Sequence, residues 1–270
     1  MNIGIIGTGR IARRLVEALA HGDNEARSIV ISQRNESISA ELVERYAHVS
    51  RTADAQEIVD ASDVVFLCLP GEAALDILRP LRFRADQAVI STMLGVTVAD
   101  IADTAAPAAE VCVTIPLPFV AEGGCPLPVH PDGHALRRLM GDTNPVIPVA
   151  SEEAMTAFWA VAGTLASVLT EVSTARDWLA SRTGDPVGAE RYVLALFGGF
   201  LSTRPLDGHR RLDEALADLA TPGGMNASMQ AALREQGHFK DFAAQMTRLH
   251  SRLAPDAAAR PAGDPDAPDT

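Results

Sequence analysis

One short stretch, Gly7-Thr8-Gly9-Arg10-Ile11-Ala12, constrains the fold of this chain more than any other feature. It is a G-x-G-x-x-A pattern, and its flanks matter as much as its glycines. Residues 2–6 before it are a short apolar run of strand character, and residues 10–20 carry apolar side chains at helical spacing. Strand, glycine turn and helix in that order open a βαβ unit that receives a dinucleotide. Gly7 permits the tight turn, Gly9 lets the backbone approach a pyrophosphate, and Ala12 lets helix and strand pack closely. Thr8, Arg10 and Ile11 complete the loop. The unpaired N–H groups and the dipole of the helix start favour an anion there.

The alternation continues beyond the loop. Residues 28–32 read as a second strand, and 37–46 as a helix that Ser37 is expected to cap. Residues 64–69, 87–91 and 110–114 read as buried strands, with helices over 72–78 and 98–104. This order predicts an α/β Rossmann domain with a doubly wound parallel sheet. Pro116, Pro118, Pro126, Pro128 and Pro131 then crowd an irregular stretch. A helix near 136–140 and a strand near 146–149 close this first domain, assigned to residues 1–150. From Ser151 to Leu253 the pattern is helical, with breaks near 184–186, 204–208 and 221–224, which predicts an all-α second domain over 151–253. Residues 254–270 are Ala, Pro and Asp without periodicity and read as a disordered tail.

The end of the second strand bears on the choice of cofactor. Enzymes that use NAD usually place an acid there for the ribose 2′-OH. This chain reads Ser32-Gln33-Arg34-Asn35. Arg34 offers a fork of donors suited to a 2′-phosphate, and Ser32 and Asn35 add neutral hydrogen-bonding groups. NADP(H) is therefore the expected cofactor, with Glu36 close by as a feature that opposes it.

Composition removes other classes. A formal net charge of -12 argues against a nucleic-acid partner. Aromatic residues are only 4%, so the core has to come from aliphatic side chains. Cys68, Cys112 and Cys125 share no C-x-x-C spacing and are expected to be reduced, as in a cytoplasmic protein. No basic segment precedes the first apolar run, and the longest apolar runs look broken short of a membrane span, so neither a signal peptide nor a membrane partner is expected. His130 and His134 read as solvated loop histidines, and no metal is expected. The single lysine, Lys240, is not followed by Ser or Thr, which excludes a Walker loop, and it argues against lysine acid–base chemistry.

The second domain contains Thr221-Pro222-Gly223-Gly224-Met225-Asn226, then a helix ended by Gly237, then His238-Phe239. Thr221 is expected to cap the helix, with Pro222 in its first turn. Over roughly residues 1–253 the chain resembles the pyrroline-5-carboxylate reductases. Their helical dimerisation domain carries a Ser/Thr-Pro-Gly-Gly motif and a later Gly-Gly-Phe. The glycine loop and Ser32-Gln33-Arg34 fit the same family. The resemblance implies an NADPH-dependent reductase acting on C=N, a place in proline biosynthesis, and a homodimer or higher homo-oligomer. It also implies a small carboxylate substrate, held at Thr221, Gly223, Gly224, Met225 and Asn226, with Asn226 as the contact nearest the reacting group. Leu69 and Pro70 would line the cofactor, and Leu117 the substrate.

Four positions depart from the family pattern. Asn226 stands where the family has threonine, and Ile115-Pro116-Leu117-Pro118 where it has Met-Pro-Asn-Thr. Leu69-Pro70 replaces Lys-Pro, and Gly163-Thr164-Leu165-Ala166 replaces Gly-Ser-Gly-Pro. Changes gathered around one pocket point to a different substrate, or to a non-catalytic NADP(H)-binding protein on the same fold. The Arg176, Asp177 and Trp178 cluster reads as a half-exposed helix face with a packed Trp, and Gly198-Gly199 as a site of close helix packing.

Overall fold

The computed structural model describes residues 1–21 and 24–253, so the tail expected over 254–270 lies outside the described residues. The chain divides into two compact units, Met1–Trp159 and Ala160–Arg252.

The first unit is built on eight strands: β1 (Asn2–Ile6), β2 (Ser28–Ser32), β3 (Val49–Thr52), β4 (Val64–Leu67), β5 (Ala88–Ser91), β6 (Glu110–Thr114), β7 (Leu127–His130) and β8 (Val146–Pro148). They form one sheet in the order β3-β2-β1-β4-β5-β6-β7-β8. The helices between them are α1 (Arg10–His21), α2 (Glu36–Arg45), α3 (Ala55–Asp60), α4 (Gly71–Leu78), α5 (Val98–Thr104) and α6 (His134–Met140). The first six strands run parallel, as a helical crossover between successive strands requires. β7 departs from the all-parallel expectation and runs antiparallel to β6, with Thr114 opposite Val129. No helix intervenes between these two strands, so the chain turns back along its neighbour.

Burial follows the period expected for a covered parallel sheet. β4 and β5 are buried at every position, and Ile3, Ile5, Ile29, Ile31 and Phe66 are at 0% exposure. Leu15, Val16 and Leu19 of α1 close over the sheet with Ala12, whose missing bulk lets the helix lie near. Two local expectations are corrected. α2 is capped by Asn35, not Ser37, because Asn35 Oδ1 accepts from the Ile38 amide at 3.3 Å while Ser37 Oγ donates to that same oxygen. β3 with α3, and β7 within the proline-rich stretch, are elements the periodicity did not reveal.

From Glu152 the chain is helical: α7 (Glu152–Ala162), α8 (Leu165–Thr183), α9 (Pro186–Ser202), α10 (Arg211–Leu219), α11 (Met225–Glu235) and α12 (His238–Leu253). In the second unit, α8 and α9 form an antiparallel pair joined through Gly184 at φ +71° and an Asp185 cap on the Gly188 amide. Arg176 bridges them to Glu190 at 3.1 Å, and His238 of α12 meets Glu171 of α8 at 2.8 Å. Two expectations fail here. Trp178 is not packed but 61% exposed, and a Cβ at Gly198 or Gly199 would meet nothing within 4 Å. The stretch Glu152–Thr183, interrupted at Gly163-Thr164, contains an 18-residue window of mean hydropathy 1.4 and is by length and composition long and apolar enough to cross a membrane. The sequence reading had treated it as broken. It also carries Glu171, Arg176, Asp177 and Arg182.

Candidate functional site

The parallel strands end along one edge of the first unit, and the order reverses between β1 and β4. A doubly wound sheet opens a crevice at such a switch point. Here the crevice is a cleft of about 1060 Å³ lined by the loop Gly7–Ala12, the start of α2 from Arg34 to Ser37, and Cys68, Leu69, Pro70 and Thr92.

The cradle is shaped by its glycines. Gly7 takes φ +97°, and a Cβ there would strike the Cys68 carbonyl oxygen. At Gly9 a Cβ would meet nothing within 4 Å, which leaves the backbone of the loop bare toward the cleft. Ser32 is engaged with the loop itself: its Oγ accepts from the Gly7 amide at 3.0 Å, and Thr8 Oγ1 donates to its carbonyl. Ser32 and Gln33 therefore lie apart from the lining residues, while Arg34 and Asn35 are among them. Asn35 keeps its side-chain NH₂ group free of its capping role, because the cap uses only Oδ1. Glu36 lines the same wall as Arg34.

These residues fit a dinucleotide. The loop leaves its main chain bare at a helix start, an arrangement suited to an anion, and the exposed Arg34 lines the same cleft. The opposite wall has different chemistry. Burial pushes the Cys68 thiol up to about 11, so it stays protonated and is no nucleophile at neutral pH. Cys112 is pushed up to about 12 by its burial, and all three cysteines are free thiols. Among the described residues no group of three His, Cys, Asp or Glu side chains is disposed to hold a metal ion. His130 Nδ1 is paired with the Val149 carbonyl at 2.8 Å.

Cys68, Thr92 and Ser37 are cleft residues that the motif did not reveal. Cys68 and Thr92 are the residues that follow β4 and β5, and only the strand order brings them beside the glycine loop. Leu117 follows β6. Its amide donates to the Cys125 sulfur at 3.4 Å, and its side chain leans half-buried on the core.

In the second unit, the stretch 221–224 is a turn in which the Gly224 amide donates to the Thr221 carbonyl at 2.9 Å, with Gly223 at φ +79°. The cap of α11 is consequently Gly224, not Thr221, because the left-handed Gly223 holds the chain out of the helix until Met225. Met225 is 89% exposed, and Asn226 is also exposed.

Comparison with known proteins agrees with this geometry. Residues 2–95 match the family described as NADP oxidoreductase, coenzyme F420-dependent. The chain is 25% identical over 248 residues to a pyrroline-5-carboxylate reductase of Corynebacterium melassecola, covering 87% of this chain and 91% of that one. The fold is shared with a pyrroline carboxylate reductase of Plasmodium falciparum with NADP bound, at a TM-score of 0.78 and 11% identity, covering 96% of this chain and 98% of that one. It is shared also with 1-pyrroline-5-carboxylate reductase of Streptococcus pyogenes, at a TM-score of 0.73 and 19% identity over 94% of this chain and 98% of that one. By sequence and fold, this chain is similar to the pyrroline-5-carboxylate reductases, and its first 95 residues to the NADP oxidoreductases.

Proposed function

We propose that the protein is an NADPH-dependent reductase of a cyclic imine or a related C=N carboxylate. The observation that carries this reading is the cleft itself. Its glycine loop leads to Arg34 on one wall, and its other wall is Cys68, Leu69, Pro70 and Thr92. Reduction of an iminium needs little more than orientation and a dry surface. Bound in the cleft, NADPH would supply the hydride for the overall conversion of imine, proton and NADPH to amine and NADP⁺. Gly7–Ala12 would hold the pyrophosphate through main-chain amides, and Arg34 the 2′-phosphate. The substrate carboxylate is assigned to the turn at Thr221, Gly223 and Gly224 with the first amides of α11, and Asn226 to a contact with the substrate.

The helical unit is assigned to self-association as a homodimer. Val187, Tyr192, Leu194, Leu196, Phe197 and Leu201 of α9 are all more than 40% exposed, and Gly198-Gly199 among them leaves room for a close neighbour. A second copy of this face is the occupant that the family resemblance supports.

Turnover is tested by following NADPH oxidation with a panel of cyclic imino acids and open-chain imines. Saturable turnover with at least one of them supports the reductase. A background rate with all of them, despite tight NADPH binding, overturns it in favour of a non-catalytic NADP(H)-binding protein.

A further inference from the structure

Three neighbouring strand ends follow in the sheet beyond the phosphate loop, and the first two give the cleft Cys68, Leu69, Pro70 and Thr92. They are 67–71 after β4, 91–99 after β5 and 114–121 after β6, and none of them contains a charged residue. Their polar side chains are turned to internal use. Thr92 Oγ1 donates to the Leu67 carbonyl at 3.2 Å, Ser91 Oγ accepts from the Met93 amide at 3.1 Å, and Thr97 Oγ1 donates to Asp100 at 2.6 Å. Thr114 differs in that its hydroxyl, wholly buried, has no hydrogen-bond partner. What each strand end offers instead is a leucine.

The three leucines are differently placed. Leu69 is 7% exposed, and its Cδ2 would lie 3.1 Å from a Cβ at Gly7, so it seals the floor beside the glycine loop. Leu117 leans on the core, with its loop fastened from below. Asn144, at 1% exposure, accepts from the Cys125 amide at 2.9 Å and donates to the Val120 carbonyl at 3.3 Å, while Cys125 Sγ receives the Leu117 amide. Leu94 is the open one, at 42% exposure. Its main chain is pressed on the start of α4, where a Cβ at Gly71 would lie 2.5 Å from the Leu94 carbonyl oxygen. That contact sets Leu94 against Gly71, the residue after Pro70 of the cleft wall.

A large aliphatic side chain left open among strand ends that carry no charge of their own, with the Glu152 and Asp100 carboxylates engaged on the Val98 amide and on Thr97, is a surface for hydrocarbon. We propose that the substrate carries an apolar substituent on or next to its C=N carbon, received by Leu94 with Leu117 and Leu69, and that Leu94 is the residue that selects it. The inference rests on the imine-reductase reading and adds the substrate class. A hydroxyl set against this rim loses water and finds no free partner, which disfavours it by about tenfold or more relative to a methyl group of the same size.

The test uses the full-length protein and an isosteric pair, 2-butyl-1-pyrroline-5-carboxylate and 2-(3-hydroxypropyl)-1-pyrroline-5-carboxylate. Two readouts are taken. One is kcat/KM with NADPH. The other is calorimetric binding of the corresponding saturated products, 5-butylproline and 5-(3-hydroxypropyl)proline, to the protein saturated with NADP⁺. The butyl compound is expected to lead by at least tenfold in both, Leu94→Asn to cut that lead to about threefold or less, and Leu94→Met to retain it. Equal binding of the two products overturns the apolar rim, whatever the turnover. Binding that favours the butyl product and responds to Leu94→Asn, with no turnover of either imine, supports the rim and overturns the reductase.

Discussion

The two units of this chain bury themselves to very different degrees. In the first, strand after strand is closed at 0% exposure, and the core runs without a gap from Ile3 to Met140. In the second, the buried hydrophobic residues are Ala160, Ala189, Val193 and Ala215, while α8, α11 and α12 bury no residue at all. Yet α9 is among the most apolar helices of the chain. The first unit carries the partner for each of its own apolar faces. The second leaves large apolar side chains of its helices exposed. A sequence can therefore encode a finished core and an unfinished one side by side, and hydrophobic content alone does not distinguish them.

The proposed second copy gives the largest effect. Leu194→Glu with Phe197→Glu puts two charges into a face that association would bury. The double variant should be monomeric by light scattering at concentrations where the native protein is a dimer, with an association constant at least 100-fold weaker. Because the first unit has its own core, NADPH affinity should change less than threefold. A native protein that is already monomeric at micromolar concentration would break the comparison outright.

In the first unit the corresponding test is one contact, not a face. Gly7→Ala forces a Cβ into the Cys68 carbonyl at a left-handed φ, a strain of about 1–3 kcal/mol, and it moves the loop that would hold the pyrophosphate. NADPH binding should weaken by 30-fold or more while the oligomeric state stays unchanged. Gly9→Ala has free space and should cost less folding stability than Gly7→Ala. Equal loss of stability in the two variants would show that the Cys68 contact is not what fixes the turn.

Arg34→Ala comes next. Losing a charge-assisted contact to the 2′-phosphate, about 1.5–3 kcal/mol, should weaken NADPH binding by tenfold or more and leave NADH nearly untouched. Titration of both cofactors by fluorescence decides it, and equal loss for both would remove Arg34 from the specificity site.

What was legible in the sequence follows the same division. β1, the glycine loop, α1 and β2 could be read because a packed strand–turn–helix leaves both its period and its glycines in the sequence. β3 could not, since Val-Ser-Arg-Thr has one buried residue at the edge of the sheet and no alternation to detect. β7 was hidden by its prolines, tolerated where the chain runs antiparallel near the end of the sheet. Arg34 was legible because its role depends on position along the chain. Cys68 and Thr92 were not, because they join the cleft through the strand order. In the helical unit the breaks at 184–186, 204–208 and 221–224 were visible as Gly and Pro. The cap at Gly224 was not, because it depends on the φ of Gly223.

The smallest effect tests how far the first unit's self-sufficiency extends to its charges. Glu17 of α1 has a side chain only 7% exposed, and Arg13 and Arg14 reach it from the same helix at 3.1 and 2.8 Å. Arg13 also pairs with Glu41 of α2, and Arg45 of α2 lies 3.6 Å from Glu17, so the cluster ties the two helices flanking β2. Burial pushes the Glu17 carboxyl up, but hydrogen bonds from Arg14 and Arg13 and their charges outweigh it and hold it below its ordinary value of 4.5. A carboxyl whose folded pKa is depressed stabilises fully above the unfolded value and loses that contribution as pH falls through the folded one. Glu17→Gln should therefore cost about 1 kcal/mol at pH 7, discounted for the solvent exposure of the arginines, and the gap to the native protein should narrow as pH falls below the ordinary carboxyl value of 4.5. Urea unfolding of both proteins at pH 7 and pH 4 measures it. A gap that is the same at both pH values would mean that the glutamine fails through packing, and that the charge of Glu17 contributes nothing to holding α1 against α2.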